Sequence, residues 1–250
     1  MNNDNSIINY QKLLNVNIFK IPLFQIHIIG NAKSGKSKFL DFVINNSADL
    51  TYYKQTLGID YRSASYLYYP NNTSINIFFS EYSGSFVDSI GGYNTECFNK
   101  FINEGVNYYN GINIDFKVIN KDNNCCNSLI CEKSICLYFL DPYTLLDLLL
   151  SFETTNNCIK TLLGIKIHDN LENNLNNERV KIIYVYNDNH YNKFENKTIT
   201  RKLKNINTQI NQAKNSSIYY INFQDYSTIY ILMNIILAYT TEYIINNFKK

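Results

Sequence analysis

What the chain lacks narrows its function first. Neither charge is in excess: 23 Lys and Arg stand against 21 Asp and Glu, a net charge of +2. That balance leaves no electrostatic footprint for nucleic acid or for a membrane surface. The six cysteines (Cys97, Cys125, Cys126, Cys131, Cys136 and Cys158) lack the paired C-x-x-C spacing of a zinc frame. Cys125, Cys126, Cys131 and Cys136 could bind a metal, but their spacing is poor and no His lies nearby, so reduced thiols are the plainer reading. The N-terminus is polar, resembles no secretion signal and has no Gly at position 2 for acylation; the last residues hold no cysteine to prenylate. No apolar run of the sequence approaches the roughly 20 residues of a membrane span. Proline (3) and glycine (9) are scarce. The expectation is a reduced, soluble, cytoplasmic protein with no nucleic-acid partner and no direct membrane anchor.

What is present can build a large core. Of 250 residues, 45% are hydrophobic and 15% aromatic, enough for one large domain or two small ones. Asn is abundant but spread through the loops, and we attach no chemistry to it.

The strongest local signal is Gly30-Asn31-Ala32-Lys33-Ser34-Gly35-Lys36-Ser37, which fits G-x-x-x-x-G-K-[ST]. Leu23 to Ile29 before it reads as a buried strand, and Lys38 to Ile44 after it has apolar residues at helical spacing. Strand, glycine loop and helix are the order that phosphate binding needs. Glycines let successive N–H groups converge on one anion, and the helix N-terminus adds the positive end of its dipole. Lys36 would place an ammonium on the outer phosphates, and Ser37 would offer a hydroxyl to Mg2+. A chance match in a glycine turn is the alternative, and the flanking strand and helix weigh against it.

Along the chain, residues 1–20 read as a polar extension with a short apolar patch at Ile18-Phe19, and 21–250 as one α/β domain. Ile59 to Tyr69 and Ser74 to Ser80 read as a hairpin parted by Pro70-Asn71-Asn72-Thr73. Residues of about 87–133 are an Asn- and Cys-rich insertion, with a short helix suggested by Phe98, Phe101, Ile102 and Val106 and a strand by Ile112 to Ile119. Ser134 to Leu140 and Val180 to Tyr186 are buried strands, and Ile218 to Ile221 is a shorter one. Helices are predicted at Tyr143 to Phe152, at Thr198 to Ala213, and in a closing segment with Ile229, Leu232, Met233, Ile236, Leu237, Thr240 and Tyr243 on one face. His27 on the first buried strand and His168 in a polar loop have no nucleophile or metal partner in view. Strands alternating with helices predict a mostly parallel sheet covered on both sides.

The order of these elements and motifs resembles a Ras-like small GTPase of the Rab-like branch, from about Phe24 to Ile245 apart from the insertion. The resemblance implies a three-layer α/β/α P-loop NTPase fold with a six-stranded, mostly parallel sheet and one antiparallel edge strand. It implies GTP or GDP with Mg2+ as ligands, held by Gly30, Asn31, Ala32, Lys33, Ser34, Gly35, Lys36 and Ser37. Thr56, in Thr56-Leu57-Gly58-Ile59-Asp60-Tyr61, is similar to the first-switch threonine that binds Mg2+ and senses the γ-phosphate. Glu81-Tyr82-Ser83-Gly84 stands where the family has Asp-x-x-Gly, so the metal group would be Ser37, Thr56 and Glu81. An outer-sphere contact from the longer Glu81 would need a shifted backbone. Ser85, next to Gly84, replaces the glutamine that orients the attacking water, and is too short for that work, so hydrolysis should be slow or absent. Asn187-Asp188-Asn189-His190 replaces Asn-Lys-x-Asp. Asn187 remains, but His190 offers at most one acceptor to the guanine edge. Phe223 stands where the family keeps a small residue beside the base.

The phosphate half of the motif set is therefore intact and the base half is degraded. In this the chain resembles the Rab-like protein of intraflagellar transport and the dynein light intermediate chains. The expected role is a weakly guanine-selective trafficking switch or scaffold, engaging a protein effector or complex subunit through its switch loops. Two alternatives stay open: a structural protein of the same fold that binds no nucleotide, and another P-loop NTPase or kinase that uses ATP.

Overall fold

A computed structural model of the chain describes residues 8–14, 21–46, 56–88, 92–100, 130–140, 152–163, 180–187 and 216–248. Seven strands form one sheet: β1 (Tyr10–Leu13), β2 (Leu23–Gly30), β3 (Ile59–Tyr68), β4 (Thr73–Tyr82), β5 (Ile130–Leu140), β6 (Val180–Asn187) and β7 (Ser216–Ile221). Their order across the sheet is β1-β3-β4-β2-β5-β6-β7. Neighbours from β4 to β7 run parallel, whereas β3 is antiparallel to both β4 and β1.

Alternation along the central strands divides the core between two faces. On β5, Ile135, Leu137 and Phe139 join one cluster, while Cys136, Tyr138 and Leu140 join the other. β6 splits likewise, with Ile183 and Val185 opposite Tyr184 and Tyr186. Strands apolar on both sides need cover on both sides. Two helices, α1 (Lys36–Asn45) and α3 (Tyr226–Phe248), supply it on one face, and α2 (Phe152–Leu162) on the other. The antiparallel hairpin pairs Ile59 with Tyr82 and Tyr68 with Thr73 across a short 3-10 turn, Tyr69–Asn71. Asn72 takes a left-handed conformation there (φ 49°), which asparagine tolerates better than most residues.

Among the described residues the sheet thus has seven strands where six are expected. The additional strand lies within the segment read as an extension: Tyr10 to Leu13 pair with Tyr68 to Ser65. Its physical role is to cover β3, which would otherwise be a long open edge. A four-residue edge strand carrying Lys12 is a poorer template for unwanted pairing. Tyr10 packs edge-on against Tyr66 at 5.8 Å, which anchors it. The predicted strand at Ile112 to Ile119, the helix at Thr198 to Ala213, nearly all of the Tyr143 to Phe152 helix and His168 lie outside the described residues. Of the insertion, residues 92–100 are described: Tyr93 bridges to Val87, and residues 95–100 are helical.

α3 also departs from expectation. Over Tyr226–Asn247 it is 22 residues long and apolar enough, by length and composition, to cross a membrane. Here, however, Ile229, Leu232, Met233, Ile236 and Leu237 are fully buried against the sheet and α1. Phe24 meets Tyr239 and Tyr243 edge-on, and Phe42 stacks on Tyr226 at 4.5 Å. The helix is apolar because it closes the core.

Candidate functional site

The phosphate-loop motif sits at the C-terminal ends of the parallel strands, where α/β sheets open a crevice for ligands. β2 ends at Gly30, the loop crosses residues 31–35, and α1 begins at Lys36. Gly35, the residue before the helix, has φ 103° and ψ 6°. A Cβ there would lie 2.7 Å from Asn187 Nδ2 and 3.2 Å from the Phe223 ring. Both the backbone conformation and the lack of space therefore call for glycine. No side chain caps α1 at this end and its first turn holds no acidic residue, an arrangement suited to an anion.

Lys36 is folded back along the loop. Its ammonium donates to the carbonyls of Gly30 (2.8 Å) and Asn31 (2.7 Å). Burial lowers its pKa to about 8, with the nearby Glu81 charge opposing that shift. Ser34 donates its hydroxyl to the Asn31 carbonyl at 2.8 Å. Ala32 and Lys33 are exposed, and Lys33 holds a left-handed conformation (φ 63°).

Three residues far apart in sequence meet beside the loop. The Ser37 hydroxyl donates to Glu81 Oε1 at 2.6 Å, and the Thr56 hydroxyl donates to the same oxygen at 2.9 Å. The two hydroxyl oxygens are 3.3 Å apart. Glu81 belongs to β4, where it pairs with Ile28 of β2, and is 1% exposed. Its second oxygen, Oε2, is buried with no hydrogen-bond partner. The donor set of two hydroxyls and one carboxylate is hard and all-oxygen, which suits Mg2+. Among the described residues no group of three His, Cys, Asp or Glu assembles. The suggested cysteine metal group gains nothing: Cys136 is buried in the core as a free thiol, and Cys125 and Cys126 lie outside the described residues.

The segment after β4 lies flush on the loop. A Cβ on Gly84 would fall 2.2 Å from the Ala32 amide nitrogen, so only glycine permits the approach. Ser85 lies in the 3-10 turn Gly84–Phe86, and its hydroxyl is 2.8 Å from that of Ser83. Its backbone N–H is also taken by Ser83 Oγ, at 3.3 Å. Asn31 ties the same segment down by donating from Nδ2 to the Asp88 carbonyl at 2.8 Å. This tie was not legible in the motif, which leaves position 31 open. The signal was only that an amide with two donors stands there.

On the side expected to meet the base, the described residues are Asn187 and Phe223. Asn187, at the end of β6, is buried and donates from Nδ2 to the Ser34 carbonyl at 3.4 Å. Phe223 is 1% exposed and part of the core. Both brace the loop at Gly35. His190 lies outside the described residues. No family model matches the chain, and no curated protein does.

Proposed function

We propose that this chain is an atypical Ras-like nucleotide-binding module of the Rab-like branch, binding GTP or GDP with Mg2+ and turning it over slowly or not at all. The observation that carries the reading is the meeting of Ser37, Thr56 and Glu81 within 3.3 Å of one another beside the Lys36 loop. Thr56, named by resemblance, lies 19 residues from Ser37 and 25 from Glu81 in sequence, and its hydroxyl is within hydrogen-bond distance of both side chains. The sheet supports the reading too. Without β1, it is six strands with one antiparallel strand at the edge.

In this reading the loop amides and the N-terminus of α1 hold the phosphates, and Lys36 exchanges its two carbonyl partners for phosphate oxygens. Ser37, Thr56 and Glu81 hold Mg2+, which when bound neutralises charge on the phosphate oxygens. Ser85, turned to Ser83, leaves the attacking water without its usual guide. His190 in place of an aspartate weakens guanine selectivity, because guanine donors then go unpaired, at about 1–3 kcal/mol. The work left for such a protein is that of a trafficking or transport switch or scaffold in the cytoplasm, read by a protein effector or complex subunit at Thr56 and Gly84.

Isothermal titration with GTP, GDP and ATP, each with Mg2+, tests the proposal. Binding with a weak preference for guanine supports it. A clear preference for ATP favours another P-loop NTPase or kinase, and no binding of any nucleotide at millimolar concentration favours a structural protein.

A further inference from the structure

Glu81 has a like-charged neighbour on the next strand. Asp60 of β3 pairs directly with Glu81 of β4. Residues opposite each other on antiparallel strands share a face, with Cβ atoms about 4.5–5.5 Å apart, and like charges so placed repel. Water does little to relieve that repulsion at Glu81, which is 1% exposed and whose Oε2 is buried with no hydrogen bond. Asp60 is drawn along its own strand instead. Its Oδ2 accepts from Arg62 Nε at 2.8 Å, two residues on and so on the same face of β3. The same guanidinium donates from Nη1 to Asp41 Oδ1 of α1 at 2.5 Å. Asp41 lies four residues after Ser37, which places both on one face of α1. Helix and hairpin are therefore joined at two levels: Ser37 to Thr56 and Glu81 nearest the loop, and Asp41 to Arg62 one turn further along. The three charged side chains of the lower level stay between 30% and 41% exposed, and partly exposed ion pairs add little stability. Geometry is what they can fix, because a planar guanidinium presents donors to two carboxylates at once.

We propose that Arg62 is a positioning residue for the nucleotide site: it holds the Asp60 carboxylate away from Glu81 and, through Asp41, holds α1 against β3. The inference rests on the nucleotide-site reading above and takes its location from it. With Asp60 held by Arg62, the Ser37 and Thr56 hydroxyls keep one common acceptor, Glu81 Oε1. Without Arg62, Asp60 stands opposite Glu81 as a second, uncompensated carboxylate. It then repels Glu81 and competes with it for the same two hydroxyls, and it adds negative charge where phosphates must approach. Asp41 has a different place. It anchors the lower level, and the residue paired across the sheet with Glu81 is Asp60. Loss of Arg62 therefore acts on the site through Asp60 in particular, and removing that one carboxylate should undo the damage.

The experiment is a rescue series on the full chain: wild type, Arg62→Met, Asp60→Asn, Arg62→Met with Asp60→Asn, and Arg62→Met with Asp41→Asn. Each is titrated calorimetrically with GDP in the presence of Mg2+, and its ligand-free form is unfolded in urea. Arg62→Met should weaken GDP about fivefold, the scale of one unrelieved like-charge pair. Asp60→Asn alone should bind like the wild type. Added to Arg62→Met, it should restore most of the lost affinity, whereas Asp41→Asn should restore none. Wild-type affinity in Arg62→Met overturns the proposal. So does a double variant with Asp60→Asn as weak as Arg62→Met alone, since Arg62 then acts only as a structural tie. Equal rescue by Asp41→Asn overturns it too, because net charge and not the place of Asp60 then decides. Should the wild type bind no nucleotide, the functional reading falls, and the urea midpoints judge the inference by themselves. A midpoint lowered by Arg62→Met and recovered by Asp60→Asn, but not by Asp41→Asn, keeps it standing; a midpoint that Asp60→Asn fails to recover overturns it.

Discussion

Gly35→Ala should destabilise the protein through two separable effects. The first is the backbone. Gly35 sits at φ 103°, and a left-handed conformation costs a residue with a Cβ about 1–2 kcal/mol. The second is contact. The new methyl would lie 2.7 Å from Asn187 Nδ2 and 3.2 Å from the Phe223 ring, both in buried side chains. Overpacking of that kind costs about 1–3 kcal/mol. Restricting the unfolded chain offsets about 0.4–1 kcal/mol. The net expectation is about 2–4 kcal/mol by urea unfolding, with a fall in Tm of roughly 2–4 °C per kcal/mol for a chain of this size. The second effect can be isolated. Asn187→Ala alone removes a buried hydrogen bond to the Ser34 carbonyl and should cost about 1–3 kcal/mol. In the double variant the methyl meets no amide, so the combined cost should fall short of the sum by about 1–2 kcal/mol. Additivity within about 0.5 kcal/mol would refute the reasoning that Asn187 braces the phosphate loop.

Three further outcomes follow from particular residues. Ser85 is engaged with Ser83, so single-turnover phosphate release from GTP-loaded protein should be no faster than about 10⁻⁴ s⁻¹, and Ser85→Gln should raise it; wild-type turnover near one per second would show another group positioning the water. Burial pushes the His27 pKa down to about 4, so the unfolded chain, titrating near 6.5, binds the proton first. Stability is then full above pH 6.5 and lost as pH falls towards 4, by about 1–2 kcal/mol at pH 5 given the ring's residual solvent contact; an equally steep acid profile in His27→Gln would discount it. Leu232 on α3 is fully buried, and Leu232→Ala should cost about 2–5 kcal/mol in chemical denaturation; a loss under 1 kcal/mol would mean that α3 does not close the core.

How far the fold was legible depended on how strongly each segment constrained itself. β5 and β6 are continuous apolar runs, and their physical meaning as strands buried on both faces is unambiguous. The β3–β4 hairpin carried its turn chemistry in Pro70 to Thr73. β1 was not legible because Tyr-Gln-Lys-Leu is too short to show a period, and its partner, Tyr68 to Ser65, is remote in sequence. α2 was missed for a related reason: Phe-Glu-Thr-Thr-Asn-Asn-Cys-Ile-Lys-Thr-Leu is mostly polar in sequence, and among its described side chains Thr155, Cys158, Ile159 and Leu162 are buried. In the site, the motif names Gly35, whose backbone holds φ 103°, and Lys36, whose ammonium reaches the Gly30 and Asn31 carbonyls. The packing of Asn187 and Phe223 beside Gly35 is not legible in the sequence, because no local pattern encodes it.

The central claim, that the Lys36 loop binds a nucleotide, is tested most directly by linkage between nucleotide and stability. Unfolding of the wild type and of Lys36→Ala should be compared with and without Mg2+ and GTP or GDP. At a free concentration about 100 times Kd, the wild type should gain about 2.7 kcal/mol, and Lys36→Ala should gain nothing measurable. No gain in the wild type, or an equal gain in the variant, would contradict the account.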